Sequence, residues 1–134
     1  MHRNLLPLAA LLVAGVAFAA NAHFIGAPSV TQKNRQLTVC GSVAGLGNED
    51  VTVEVSAKAT TTCTNKGGNP PPGLVETVSG SVSNLHPENG RVSFCVTTNA
   101  PSDPCPDGMR PASTFSDVSV KVYQGGKLVL SQSF

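Results

Sequence analysis

The amino-acid sequence predicts an all-β, disulfide-bonded fold, an immunoglobulin-like Greek-key β-sandwich of about seven strands. Three observations predict it. Apolar residues recur at every second position in segment after segment, and beyond the leader no stretch keeps a helical period over three turns. Val, Thr, Ser, Gly and Pro dominate over Leu, Glu and Lys, a composition of strands and turns. The four cysteines, Cys40, Cys63, Cys95 and Cys105, form an even set with no Cys-x-x-Cys pair, which reads as two disulfides in an oxidising compartment.

Taken in order, residues 1–22 read as an export signal: a basic start at His2 and Arg3, an apolar run from Leu5 to Phe18, and the small-x-small ending Ala20-Asn21-Ala22. The run is shorter than the roughly 20 residues that cross a bilayer. Cleavage after Ala22 is expected to leave residues 23–134, roughly 110 residues, enough for one domain and too few for two. No membrane span is expected in this mature chain. Residues 25–32 are a plausible edge strand interrupted by Pro28. Residues 36–44 place Leu37, Val39 and Val43 inward, and Gly45-Leu46-Gly47-Asn48 is a short reversal.

The clearest strand spans 50–63, where Val51, Val53, Val55, Ala57, Ala59, Thr61 and Cys63 share one face and Thr52 to Thr62 the other. A proline-rich surface loop follows at 65–73, then a weaker strand at 74–85. Pro87-Glu88-Asn89-Gly90 carries the Asn-Gly hairpin signal. In 91–98, Val92, Phe94 and Val96 point inward, and a second proline-rich loop covers 99–112. The last two strands, 117–123 (Val118, Val120, Val122 inward) and 127–134, are joined through Gly125-Gly126, which supplies the positive φ angles of a tight primed turn.

Side-chain phase predicts the disulfide pairing. Cys40 lies on the outward phase with Thr38 and Ser42, and Cys95 on the outward phase with Ser93 and Thr97, so neighbouring strands would bring them together. Cys63 closes the long strand where the first proline-rich loop begins, and Cys105 sits inside the second. The pairs expected are Cys40 with Cys95 and Cys63 with Cys105.

Four motifs occur in a characteristic order: Ala22-His23-Phe24, Ala44-Gly45-Leu46-Gly47-Asn48, Cys63-Thr64-Asn65-Lys66-Gly67-Gly68-Asn69 and Cys105-Pro106-Asp107-Gly108. As a set they resemble a family of small exported bacterial proteins, common in actinobacteria and without an established activity. The resemblance spans most of the mature chain. It implies that Cys63 and Cys105 form the basic bridge and that Cys40 and Cys95 add a second.

Charge and residue inventory narrow the function. Arg3 leaves with the leader, so the remaining basic residues balance the eight acidic ones, and without a basic cluster neither nucleic acid nor anionic membrane is an expected partner. No Gly-x-Ser-x-Gly motif occurs, and Asp and Glu fall in turns or on outward positions, so no catalytic residues are predicted and the protein is read as a non-enzyme. A flat aromatic sugar platform is not expected with only Phe24, Phe94, Phe115, Phe134 and Tyr123 remaining and Phe94 in the core. The oxygen-rich turns Asn48-Glu49-Asp50 and Asp103 to Asp107 match no calcium-loop spacing.

The expected function is therefore that of a secreted, extracellular, noncatalytic module, monomeric, without cofactor. Its proline-rich loops, tied by Cys63 and Cys105, would face a protein or cell-wall component. The alternative is a copper protein or oxidative enzyme in which processing exposes His23, whose α-amine and imidazole chelate copper with His86 as the second imidazole.

Overall fold

The computed structural model describes residues 21–64 and 73–134; residues 1–20 and 65–72 lie outside the described residues. The expected export signal falls almost wholly in the first of these segments and most of the first proline-rich loop in the second. Among the described residues eight strands are present: β1 (His23–Phe24), β2 (Ser29–Lys33), β3 (Gln36–Ala44), β4 (Val51–Thr64), β5 (Leu74–Leu85), β6 (Val92–Thr97), β7 (Arg110–Gln124) and β8 (Lys127–Ser133). They form two four-stranded antiparallel sheets. In one, β3 pairs with β1 and β2 along one side and with β6 along the other; the second has the order β5-β4-β7-β8.

The predicted edge strand is two strands. Both β1 and β2 pair with β3, and Gly26, at φ 72°, and Pro28 break the ladder between them. Pro28 brings no N–H and Gly26 turns the chain, so only the Ile25 N–H bond to the Ser42 carbonyl, at 2.8 Å, spans the gap.

β4 follows its alternation without exception, each odd position from Val51 to Cys63 being buried. β-Branched side chains have few χ1 rotamers to lose on a pleated surface, which makes this valine-rich stretch the centre of its sheet. Its valines meet Val39, Val43, Phe94 and Val96 of the other sheet in one cluster with Val118, Val120 and Val122. Each fully buried valine contributes about 1.5–3 kcal/mol.

β7 starts at Arg110, seven positions before its expected start. Opposite Ser56 and Lys58 of β4, the chain advances from Ser119 back to Ser116, one residue too many, and Asp117 adopts φ 52°. This bulge reverses the phase: Ser113 and Phe115 face inward before it, Val118 and Val120 after it. Pro111 is tolerated because β8 pairs with β7 only from Ser119 onward, leaving the first half of β7 an edge. The second proline-rich loop therefore ends at Met109.

Among the described residues three primed turns form. Gly125-Gly126 has φ angles of 60° and 82° and joins β7 to β8. Asn89-Gly90, at 53° and 75°, brackets the Glu88–Arg91 pair, but its flanking strands β5 and β6 belong to different sheets, so it is a reversal inside a crossover and not a hairpin. Gly45 to Asn48 likewise crosses between sheets, from β3 to β4. The third turn, Asn34-Arg35 at 53° and 60°, joins β2 to β3.

The two expected disulfides are present. Cys40 faces Cys95 directly across β3 and β6, and Cys63 at the end of β4 is bonded to Cys105 in the β6–β7 loop. Among the described residues, no helix is long and apolar enough to cross a membrane.

Candidate functional site

The β6–β7 connection, residues 98–109, is the longest described stretch without regular structure. Pro101, Pro104 and Pro106 remove three N–H donors and stiffen the backbone, so it cannot pair as a strand. Its order comes from anchors that both sheets extend to it. At its start Thr98 bonds Leu37 of β3 twice, by its backbone N–H to the Leu37 carbonyl (2.8 Å) and by its hydroxyl from the Leu37 N–H (3.1 Å). Asn99 then imitates a strand residue on the open edge of β5: its N–H reaches the Ser79 carbonyl (3.0 Å) while its Oδ1 accepts the Ser79 N–H (2.9 Å).

The same side of the sandwich closes tightly at Gly80. A Cβ there would lie 2.2 Å from the Thr97 carbonyl oxygen, so only glycine lets β5 and β6 approach.

Arg35 is the central anchor. Its Nη2 donates to the carbonyls of Pro101 (3.0 Å) and Ser102 (2.8 Å), and its Nε to Ser113 Oγ (3.0 Å). Ser113 in turn pairs with the buried Thr61 hydroxyl at 2.8 Å. A left-handed backbone costs a side-chain-bearing residue about 1–2 kcal/mol, and the turn conformation of Arg35 is what aims the guanidinium at the loop. From β5, Glu76 accepts the Ser102 N–H (3.0 Å) and hydroxyl (3.1 Å). Further along, Asp103 Oδ1 accepts the Cys105 N–H at 2.9 Å, a local Asx turn, and the Cys63–Cys105 bond fixes the loop to β4.

The result is a loop whose backbone is held at both margins while Asn99, Asp103, Pro104, Pro106, Asp107 and Gly108 stay exposed. Its charge is acidic, with Arg35 and Arg110 at the margin.

The opposite end of the sandwich holds both predicted metal ligands. His23 is exposed on β1 opposite Ala44, its Nδ1 2.7 Å from the Asn21 carbonyl, which lies ahead of the expected cleavage point. His86 follows β5, with Nδ1 3.1 Å from Asp50 Oδ1 in an exposed pair. His23 thus lies on the sheet of β3, whereas His86 follows β5 of the other sheet. Among the described residues no group of three or more His, Cys, Asp or Glu is placed to hold a metal ion. A shallow pocket of about 290 Å³ lies beside His86, lined by Leu85, Glu88, Arg91, Val92 and Ser93.

Gln124 organises this end. Almost fully buried, its side chain accepts the Gly47 N–H (2.9 Å) and donates to the carbonyls of Gly47 (2.8 Å) and Glu49 (2.8 Å).

Compared with protein-family models, with curated proteins and with solved structures, the chain has no match. Fold and site together define a disulfide-braced β-sandwich that displays one pinned, proline-rich loop.

Proposed function

We propose that the mature chain is a secreted, noncatalytic binding module whose contact surface is the pinned 98–109 loop. One observation carries this reading: the loop is fastened by a disulfide and by bonds from Arg35, Glu76 and Leu37, yet its central side chains are left to solvent. A loop ordered before it meets a partner loses little entropy on binding, and ordered long loops are commonly functional. The two disulfides support an oxidising destination, as the leader does. An immunoglobulin-like classification is supported by the strand order, three positions in one sheet and four in the other, with every connection after β3 except β4–β5 and β7–β8 crossing between sheets.

The experiment is capture from secreted and cell-wall fractions on immobilised mature protein, beside Asp107→Lys, a change at a side chain whose exposure makes it harmless to folding. A species retained by the wild type and reduced at least about tenfold by the charge reversal is the expected result. Equal retention by both would place the contact elsewhere.

A further inference from the structure

We propose that Cys40–Cys95 is a thiol-exchange site, open to small-molecule thiols in the folded protein, whereas Cys63–Cys105 is a closed structural bond. Three observations separate them. The first is access: Cys95 is exposed on the outward face of β6, while Cys63 is only 2% exposed on the inward face of β4.

The second is charge. An attacking thiolate is an anion, and Cys105, the more accessible partner of Cys63, stands between Asp103 and Asp107 in the sequence, with the Asp103 carboxylate on its own N–H. Around Cys40 and Cys95 the facing residues are neutral hydroxyls: Thr38 against Thr97 at 2.8 Å on one side, Ser42 against Ser93 at 3.0 Å on the other.

The third is what each bond holds. β3 and β6 are already joined by a ladder from Thr38–Thr97 to Val43–Val92, and their inward residues Val39, Val43, Phe94 and Val96 stay in the core whatever the state of the sulfurs. Opening this bond leaves two thiols side by side on a formed sheet, ready to close again. Cys105 sits in a loop with no ladder of its own.

Exchange proceeds in two displacements. A thiolate attacks Cys95 Sγ, a bond forms between the two sulfurs, the Cys40–Cys95 bond breaks, and the electron pair departs on Cys40 Sγ, which takes a proton from water. A second thiolate attacks the small-molecule sulfur of the mixed disulfide, releasing the oxidised small-molecule disulfide and the Cys95 thiolate, which is protonated in turn. Two electrons pass from two thiols to the protein bond. The co-reactant is a low-molecular-weight thiol such as glutathione.

Differential alkylation with mass mapping during titration by dithiothreitol tests the order of opening. Cys40 and Cys95 should be labelled at least about ten times faster than Cys63 and Cys105, with the amide protection of β3 and β6 retained at that stage. Equal rates, or earlier labelling of Cys63, would overturn the proposal, as would loss of protection with the first bond. Single variants give a second reading that does not depend on a reduced fold. Cys40→Ser leaves Cys95 free and should take up one glutathione from oxidised glutathione, whereas Cys105→Ser leaves Cys63 free and should take up none while folded. No adduct on Cys95 in a natively folded Cys40→Ser protein refutes exchange at this site.

Discussion

The two ends of the sandwich order their sheet-crossing connections by different means. At the β6–β7 end the connection is long, carries three prolines and cannot pair, so it is held by Arg35, in the β2–β3 turn 66 residues before the Pro101 carbonyl it binds, by Glu76 of β5, and by a disulfide of separation 42. At the other end the crossovers 45–50 and 86–91 are short, and a single buried amide, Gln124, satisfies the backbone of one while the Asn89-Gly90 turn shapes the other. The difference teaches that a loop need not supply its own order. A rigid sheet can supply it, and the loop's exposed residues are then free for contact.

The comparison can be broken most decisively at the covalent anchor. Replacing Cys63 and Cys105 by Ser together should lower stability by about 4 kcal/mol at most on chain-entropy grounds, read as a fall in melting temperature by calorimetry. A smaller loss than Gln124→Leu causes would mean that the noncovalent anchors alone hold the long loop. Gln124→Leu leaves the Gly47 N–H and the Gly47 and Glu49 carbonyls without their partner, and should cost about 3 kcal/mol in denaturant unfolding.

Arg35→Gly separates local from global order. It relieves a left-handed backbone and removes three bonds, so net stability should move by no more than about 1 kcal/mol, while amide exchange in 98–109 quickens. Unchanged exchange there would show that Arg35 does not hold the loop. The smallest effect belongs to the exposed His86–Asp50 pair: His86→Ala should change stability by less than about 0.5 kcal/mol, and a larger loss would reveal that this end depends on more than Gln124 and its turn.

Legibility in the sequence followed burial and local pairing. All seven inward positions of β4 could be read, since a period of two places every core residue on one face. The pairing of Cys40 with Cys95 followed from phase because those residues share a face in adjacent strands. The first half of β7 could not be read, since the bulge at Asp117 splits one strand into two out-of-phase halves and Pro111 imitates a loop. The Asn34-Arg35 turn is not legible in the sequence because arginine gives no turn signal, its left-handed angle being accompanied by contacts to residues far along the chain.

Gln124 lies just beyond the predicted strand 117–123, beside the Gly125-Gly126 turn signal, although it is a core residue. Of the candidate site, the Cys63–Cys105 tether and the prolines were visible; Arg35, Glu76 and Asn99 as anchors were not.

By itself the sequence determined the strand character, the inward faces and the Gly125-Gly126 hairpin, because each depends on residue type and on spacing along a single segment, and the phase or loop position of each cysteine within its own segment pointed to the two disulfide pairs. Tertiary structure alone decided which strands share a sheet, where the Asn89-Gly90 turn sends its chain, why Gly80 admits no side chain, and which loop is pinned. Those outcomes depend on groups brought together from distant positions, and no local periodicity records such meetings.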